Sequence, residues 1–399
     1  MTRRIRVLSL IDNLHFGGDE NRLLVFAQTI DRRRFDHLIV TVSGANAEVD
    51  QRCGGMRQQF LDAGVEVISL GEHLSTSPPL SIRAFQLART GAVSVRVVQK
   101  LNRLIRQREI DLINIHLNAA NPVGVLAGLA TGTRSVVTTY SVRNYVKEPI
   151  RLLAAKQFTL GLADAVITDS EARSRDIKKW SYRPRKVAVI PNGIWPPTTA
   201  RTAEEMRRAF GLPTDPRVTI IGQVSSLIEY KGQSVLLDAA RAVIDQYPHV
   251  AFLLVGYSRG GDSYRQRLEK QAADLGIADR VRIVSYPGSI GDVWKVVDIH
   301  VHASLFDSLP NAIIEGMSLA KPAVVTSVGG IPEMVKHEKT GLVVRPGEAQ
   351  ELSRQLLRLL RDRESARRFG EAARLRYEER CRPEIMTTKL ENLFMDIVA

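Results

Sequence analysis

The chain has 399 residues and lacks most of the marks that would place it at once. Its two cysteines, Cys53 and Cys381, lie far apart and fit neither a disulfide framework nor a zinc pattern. They are expected as reduced structural thiols. No run approaches the roughly 18 apolar residues of a membrane span, and the start, MTRRIRVLSLIDN, has neither the apolar stretch nor the cleavage site of a signal peptide. A cytoplasmic chain is therefore expected. There is no G-x-G-x-x-G dinucleotide fingerprint, no G-x-x-x-x-G-K-[ST] loop and no G-x-S-x-G nucleophile elbow. No D-x-D occurs, which removes the usual way of holding a divalent ion against a nucleotide diphosphate. Low-complexity tracts and repeats of 20–50 residues, beyond a twofold βα pattern, are missing as well.

What is present is a folded α/β chain in two parts. Hydrophobic residues make up 44%, charged residues 25% and aromatics 6%, far from a disordered composition. The length exceeds what one hydrophobic core usually serves, so two domains are expected. Short β-branched runs recur between amphipathic stretches: 6–12, 37–43, 66–70, 111–117, 135–140, 165–170 and 186–190. After the proline- and glycine-rich IPNGIWPPTTAR (190–201), the pattern restarts at 217–225, 251–257, 280–286, 298–304, 322–328 and 341–344. Continuous apolar runs of this kind are parallel strands covered on both faces, so two doubly wound sheets follow. The boundaries are set at 1–195, 196–382 and a terminal helix, 383–399, which opens on a proline suited to a first turn.

Charge is divided unevenly. Residues 1–195 hold 28 Lys and Arg against 17 Asp and Glu, whereas residues 196–399 hold 28 against 26. The first half could therefore meet an anionic partner: an acidic surface, anionic lipid headgroups or nucleic acid. A solvated cationic surface accounts for the excess equally well. No helix-turn-helix, zinc or aromatic RNA-reading signature accompanies it.

In an open α/β sheet, ligands bind beyond the carboxyl ends of the strands. In the second half, Lys231-Gly232 precedes a helical stretch; a lysine there opposes the helix dipole unless an anion is present, which suggests a phosphate. FDSLPNAIIEGMSLAKP (306–322) follows another strand. Ser308 is expected to cap its helix, Pro310 to fill the first turn, and Ile313, Ile314, Met317 and Ala320 to form the buried stripe. Asp307 then lies at the strand's end, and Glu315 two turns into the helix beside the apolar stripe. A carboxylate there needs hydrogen-bond partners, which the vicinal hydroxyls of a ribose or a neighbouring backbone group would supply. Gly329-Gly330 begins a further turn at which a backbone can approach a ligand. His300 and His302 alternate on one strand face without a third ligand at metal spacing, so sheet packing and polar contacts are expected of them.

Together GGDEN (17–21), ITDSEA (167–172), VIPNGI (189–194), KG (231–232), the run 306–333 and TGLVV (340–344) resemble the retaining glycosyltransferases of family 4, with the GT-B fold. The resemblance spans nearly the whole chain. It implies two Rossmann-like domains facing across a cleft, with the nucleotide sugar held mainly by the second, the acceptor by the first, and the terminal helix crossing back onto the first. It makes Asp307, Glu315, Lys231 and His116 the candidate catalytic residues. Lys231 would neutralise the leaving diphosphate, Glu315 hold the ribose, and Asp307 with adjoining backbone meet the sugar hydroxyls. Binding positions would include Gly17, Gly18, Arg143, Gly222, Gln223, Gly256, Tyr286, Gly288, Ser308, Leu309, Asn311, Gly329 and Gly330.

The family's first acidic residue is usually a glutamate where Asp307 stands, and Gln223 stands near the family's second phosphate cation, for which Arg143 and Arg259 are the substitutes considered. Where many members carry a histidine after the strand 135–140, this chain reads TTYSVRN. The implied reaction keeps the anomeric configuration and needs neither metal nor cofactor. The acceptor is a glycan, a glycolipid or a polyprenyl-linked species. RVVQKLNRLIRQRE (96–109), apolar on one side and basic on the other, would suit contact with an anionic membrane or simply a helix packed on its sheet. A GT-B epimerase or hydrolase, and a basic nucleic-acid-binding protein, are the competing readings.

Overall fold

The computed structural model describes residues 3–15, 17–43, 55–71, 82–116, 120–139, 158–180, 184–258 and 263–399, with only the backbone of 82–94 and of Trp180. Arg143 and Arg259 lie outside the described residues. The chain divides into two compact units: Met1–Gly193 with Pro383–Ala399, and Ile194–Arg382.

The first unit is built on a parallel sheet of β1 (Ile5–Ile11), β2 (Phe35–Thr41), β3 (Glu66–Ser69), β4 (Leu112–His116), β5 (Arg134–Thr138), β6 (Ala165–Thr168) and β7 (Val187–Val189), in the order β3-β2-β1-β4-β5-β6-β7. Because alternate side chains of a strand point to opposite faces, each strand feeds two cores. Val7 and Ile11 of β1 join Leu23, Phe26 and Phe60 on one face; Leu8 and Leu10 join Leu101, Ile105 and Val123 on the other. The first face is completed by the terminal helix Pro383–Val398, whose Met386, Leu390, Leu393 and Phe394 are buried. Phe394 meets Phe26 edge to face at 5.8 Å, and Glu391 Oε1 accepts the Asp31 N–H at 2.7 Å.

The second unit repeats the plan with β8 (Thr219–Val224), β9 (Val250–Val255), β10 (Val281–Val284), β11 (Ile299–His302), β12 (Ala323–Thr326) and β13 (Leu342–Val344), parallel and in the order β10-β9-β8-β11-β12-β13. It opens with a reciprocal cap on the helix Ala203–Ala209: Glu205 N donates to Thr202 Oγ1, and Thr202 N donates to Glu205 Oε2. Every run read from the sequence as a strand forms one, within a few residues of its expected ends.

These two orders locate the switch points. The first sheet reverses its winding between β1 and β4, the second between β8 and β11. Loops leaving neighbouring strands at such a point diverge and leave a crevice at the strands' carboxyl ends. Gly17, Gly18 and His116 fall at that point in the first unit, and Lys231 and Asp307 in the second.

Local expectations around the helix Asn311–Ser318 fail in part: Ala320, expected in its buried stripe, lies beyond its end and is only half-buried, and Pro310 precedes its first turn. The helix starting at Asn311 has Pro310 itself as its N-cap, without a side-chain cap bond, so Ser308 does not cap it. The carbonyl of Ser308 instead accepts the Gly330 N–H at 2.8 Å, which ties the loop after β11 to the loop after β12. Among the described residues no helix is long and apolar enough to cross a membrane.

Candidate functional site

In the second unit, the chain leaves β8 through a single tight turn, Glu229–Lys231, and enters the helix Gln233–Gln246 at Gly232. Gly232 has φ +69°, and a β-carbon there would lie 2.0 Å from the Ala303 carbonyl oxygen. Only glycine lets this loop press so closely on the end of β11. Gln223, buried at the end of β8, donates from Nε2 to the Lys231 carbonyl at 2.7 Å, so it fixes the lysine's backbone. The sequence suggested Gln223 as a ligand contact; its Nε2 donates to the Lys231 carbonyl and to Ser225 Oγ.

Lys231 Nζ then lies 2.6 Å from Asp307 Oδ2. Two further groups reach the same oxygen, Ser304 Oγ and His302 Nε2, each at 3.0 Å, while the Ser308 N–H reaches Oδ1 at 3.1 Å. Burial alone would push the Asp307 carboxyl up, but the Lys231 ammonium and the His302 contact outweigh it and hold the group below the usual carboxylate range. His302, fully buried, is pushed down by desolvation, against the pull of Asp307. The pair is therefore a neutral imidazole beside an ionised carboxylate, with Nε2–H donating.

Glu315 lies on the helix Asn311–Ser318, and its Oε2 accepts the Trp294 Nε1–H at 2.8 Å. Burial raises its carboxyl above the ordinary range, and the indole bond opposes that rise. Trp294, on the helix Ile290–Val296, is 1% exposed and meets His300 edge to face at 4.9 Å. Gly316 makes room for both rings: a β-carbon there would lie 2.9 Å from His300 Nδ1 and 3.4 Å from the Trp294 ring.

The loop after β12 closes on this group. Gly329 has φ +52°, and a β-carbon on it would lie 2.2 Å from the Asp307 carbonyl oxygen. The structure thus brings together Lys231, Asp307, Ser308, Gly329 and Gly330. Asn311 starts the adjoining helix, and Leu309, 4% exposed, is a core residue of that loop. Other sequence candidates lie where the chain is tightly packed. Gly222 gives its space to Val297, Gly256 to the Ser225 carbonyl, and Gly288 to the ring of Tyr286. The Tyr286 hydroxyl donates to Asp292 Oδ2 at 2.8 Å.

In the first unit, Gly17 caps the helix Gly18–Thr29, and a β-carbon on it would collide with Glu20 Oε2. His116 ends β4, 3% exposed, and neither ring nitrogen has a hydrogen-bond partner among the described residues. Burial, with the nearby Arg22 guanidinium adding positive charge, pushes its pKa down to about 3, so it is a neutral imidazole. Sequence reasoning missed His302 and Ser304 as partners of Asp307, and Trp294 as the partner of Glu315. The His302 signal was a histidine two residues before a serine and five before an acid, on a strand that feeds the switch point. Among the described residues, no cluster of three or more His, Cys, Asp or Glu could hold a metal ion.

Residues 17–193 match the glycosyl transferase 4-like domain, and residues 202–376 match the glycosyl transferases group 1. The chain belongs to the GT-B glycosyltransferases. It is similar to the D-inositol 3-phosphate glycosyltransferase of Corynebacterium urealyticum, 29% identical over 271 residues, 63% of each chain. The enzyme of that name from Streptomyces avermitilis is 28% identical over 285 residues, 66% of this chain and 60% of its own. The matches thus span somewhat less than two thirds of these relatives' length. In fold, the chain is similar to Anabaena HepE in complex with UDP and glucose, with a TM-score of 0.78 and 22% identity over 98% of this chain and all of the other. A glycosyltransferase from Rickettsia africae has a TM-score of 0.81 at 19% identity, covering 100% of this chain and 99% of its own.

Proposed function

We propose that the chain is a retaining glycosyltransferase that moves a sugar from a nucleoside-diphosphate sugar, UDP- or GDP-linked, to a saccharide or lipid-linked acceptor in glycoconjugate or polysaccharide biosynthesis. The observation that carries this reading is the Lys231 ammonium, held by Asp307 at the switch point of the second sheet beside the start of the helix Gln233–Gln246. A fixed cation and a helix N-terminus in one crevice form a diphosphate site. Similarity to named glycosyltransferases, and to a fold that holds UDP in HepE, agrees with it.

In this reading the remaining N–H groups of Lys231 face the diphosphate and Glu315 faces the ribose. Asp307, with the backbone around Ser308 and Gly329–Gly330, faces the sugar. The bond from the anomeric carbon to the phosphate oxygen breaks with its electrons passing to the diphosphate. The acceptor oxygen bonds to the same carbon on the same face, and its proton passes to the departing phosphate. Lys231 stabilises the charge that builds on the leaving group, so no side-chain nucleophile takes part. His116, Gly17 and Gly18 would serve the acceptor side.

The acceptor side also favours an anionic membrane over nucleic acid. The helix Ile82–Gln107 carries no acidic residue, and Arg96, Lys100, Arg103 and Arg106 are exposed on it. It packs beside the helix Ala120–Thr131 over the same sheet face, and the latter exposes Leu126 and Leu129, 46% and 55% accessible. Cations beside protruding leucines suit a bilayer interface, on the cytoplasmic side where anionic lipids gather.

Incubation with UDP- and GDP-sugars and lipid-extract acceptors, followed by mass spectrometry of the products, tests the reaction. A glycosylated acceptor with retained anomeric configuration supports it. Free sugar or an epimerised nucleotide sugar as the sole product would replace it with hydrolase or epimerase chemistry.

A further inference from the structure

The pair formed by Glu315 and Trp294 asks more of the chain than a glutamate near a ribose does. The indole N–H is 2.8 Å from Oε2, while Oε1 makes no hydrogen bond among the described residues. The two oxygens of one carboxylate are thus differentiated: one faces a buried donor, the other is left available. The indole itself has little freedom. It is 1% exposed, packed in the core with Val293, Val296 and Ala312, set edge-on to His300, and pressed under Gly316. A donor fixed in a core holds its acceptor by direction as well as by attraction.

We propose that Trp294 is the positioning residue for donor recognition: by holding Oε2 of Glu315, it turns Oε1 toward the vicinal hydroxyls of the nucleotide ribose. The proposal rests on the ribose role given above to Glu315. It makes the helix Ile290–Val296 part of the donor site. Burial raises the Glu315 carboxyl and the indole bond opposes that rise, so the same contact helps keep the acceptor ionised. A bland alternative is that Glu315 merely satisfies the buried indole N–H. The two differ in what the ligand feels: the proposal couples Trp294 to ribose hydroxyls alone, while a packing role weakens every nucleotide alike.

The test is calorimetric titration of the wild type, Trp294→Phe and Glu315→Gln with UDP and GDP and with the 2′,3′-dideoxy analogue of each. The wild type is expected to prefer the ribose nucleotide, and Glu315→Gln to lose most of that preference. Trp294→Phe should weaken ribose-nucleotide binding roughly tenfold, the scale of a lost bond to a charged group, and leave the dideoxy analogue unchanged. Equal weakening of both nucleotides, or of neither, overturns the proposal. Should Glu315→Gln keep the full preference, or neither nucleotide bind the wild type, the ribose reading itself falls and the proposal with it.

Since Trp294 lies in a core, a second measurement avoids mutating it. The chain has three tryptophans, Trp180, Trp195 and Trp294, so replacing the other two by Phe leaves a single indole N–H resonance. That resonance should shift on adding the ribose nucleotide and stay in place with the dideoxy analogue. A resonance that ignores both, or follows both equally, speaks against the coupling.

Discussion

Lys231 and Asp307 meet at 2.6 Å with 13% and 12% of their side chains exposed, so each is the other's main compensation for leaving water. Removing one partner of a closed ion pair strands the other, which typically costs about 3–5 kcal/mol. Asp307→Ala is therefore expected to destabilise the second unit by about 3 kcal/mol in a urea titration. Its pH dependence has a fixed sign. The folded carboxyl lies below the ordinary aspartate value of 3.8, so the contribution is complete above that value and fades only as pH falls through the lowered one. The difference between wild type and variant should stay flat from neutrality down to mild acid and shrink in strong acid.

Lys231→Ala addresses chemistry as well as stability. If the ammonium stabilises the leaving diphosphate, its loss should cut transfer about 100-fold or more, the scale of one lost oxyanion donor. Steady-state rates with the cognate donor check this. A variant that keeps its rate would remove Lys231 from the reaction.

Glu315 carries the opposite sign from Asp307. Burial raises its carboxyl, so the folded state binds a proton more readily than the unfolded chain does. Stability is then lost as pH rises from the ordinary glutamate value of 4.5 through the raised one. Glu315→Gln still accepts the Trp294 N–H but carries no charge to desolvate. It should melt higher than the wild type at neutral pH, match it below 4.5, and bind the donor more weakly throughout.

Two glycines set the spacing of the site. Gly232→Ala and Gly329→Ala each bring a β-carbon to 2.0 Å and 2.2 Å from a carbonyl oxygen, at φ +69° and +52°. Since the contacted atoms are backbone, a loop must move. Displacement of about 1 Å at a reacting centre costs about 100-fold in rate, so both variants should fold, with lowered melting points, and transfer poorly. Alanine at Gly132, where nothing lies within 4 Å despite a φ of +74°, is the control: strained, yet without effect on transfer.

Vesicle flotation tests the membrane surface. The wild type should float with vesicles containing phosphatidylglycerol and stay below with phosphatidylcholine alone. Arg103→Glu with Arg106→Glu should abolish flotation, since each basic residue near an anionic surface contributes about 1 kcal/mol and reversal doubles the change. Binding that follows RNA or DNA in a shift assay, with no vesicle binding, would overturn this reading.

Much of this architecture was legible in the sequence because apolar runs and their punctuation are local signals. Each run read as a strand forms one, and Lys231, Asp307 and the Gly329–Gly330 turn could be placed at strand ends from spacing alone. The partners were not. His302 and Asp307 lie five residues apart, but whether that loop folds back depends on Gly329 pressing on it from the next strand. Trp294 reaches Glu315 across 21 positions and two elements, and no periodicity encodes such a contact. Ser308 misled for a related reason: its polar side chain suggests a cap, while its carbonyl is needed for Gly330.

The helix Pro383–Val398 has a consequence for biosynthesis. Its Met386, Leu390, Leu393 and Phe394 complete the core that Leu23, Phe26 and Phe60 begin. On the ribosome, the first unit therefore begins to emerge before the second and receives its last segment only after it. Until residues 383–398 leave the exit tunnel, the earlier half holds an open apolar face, the kind of nascent surface on which chaperones act.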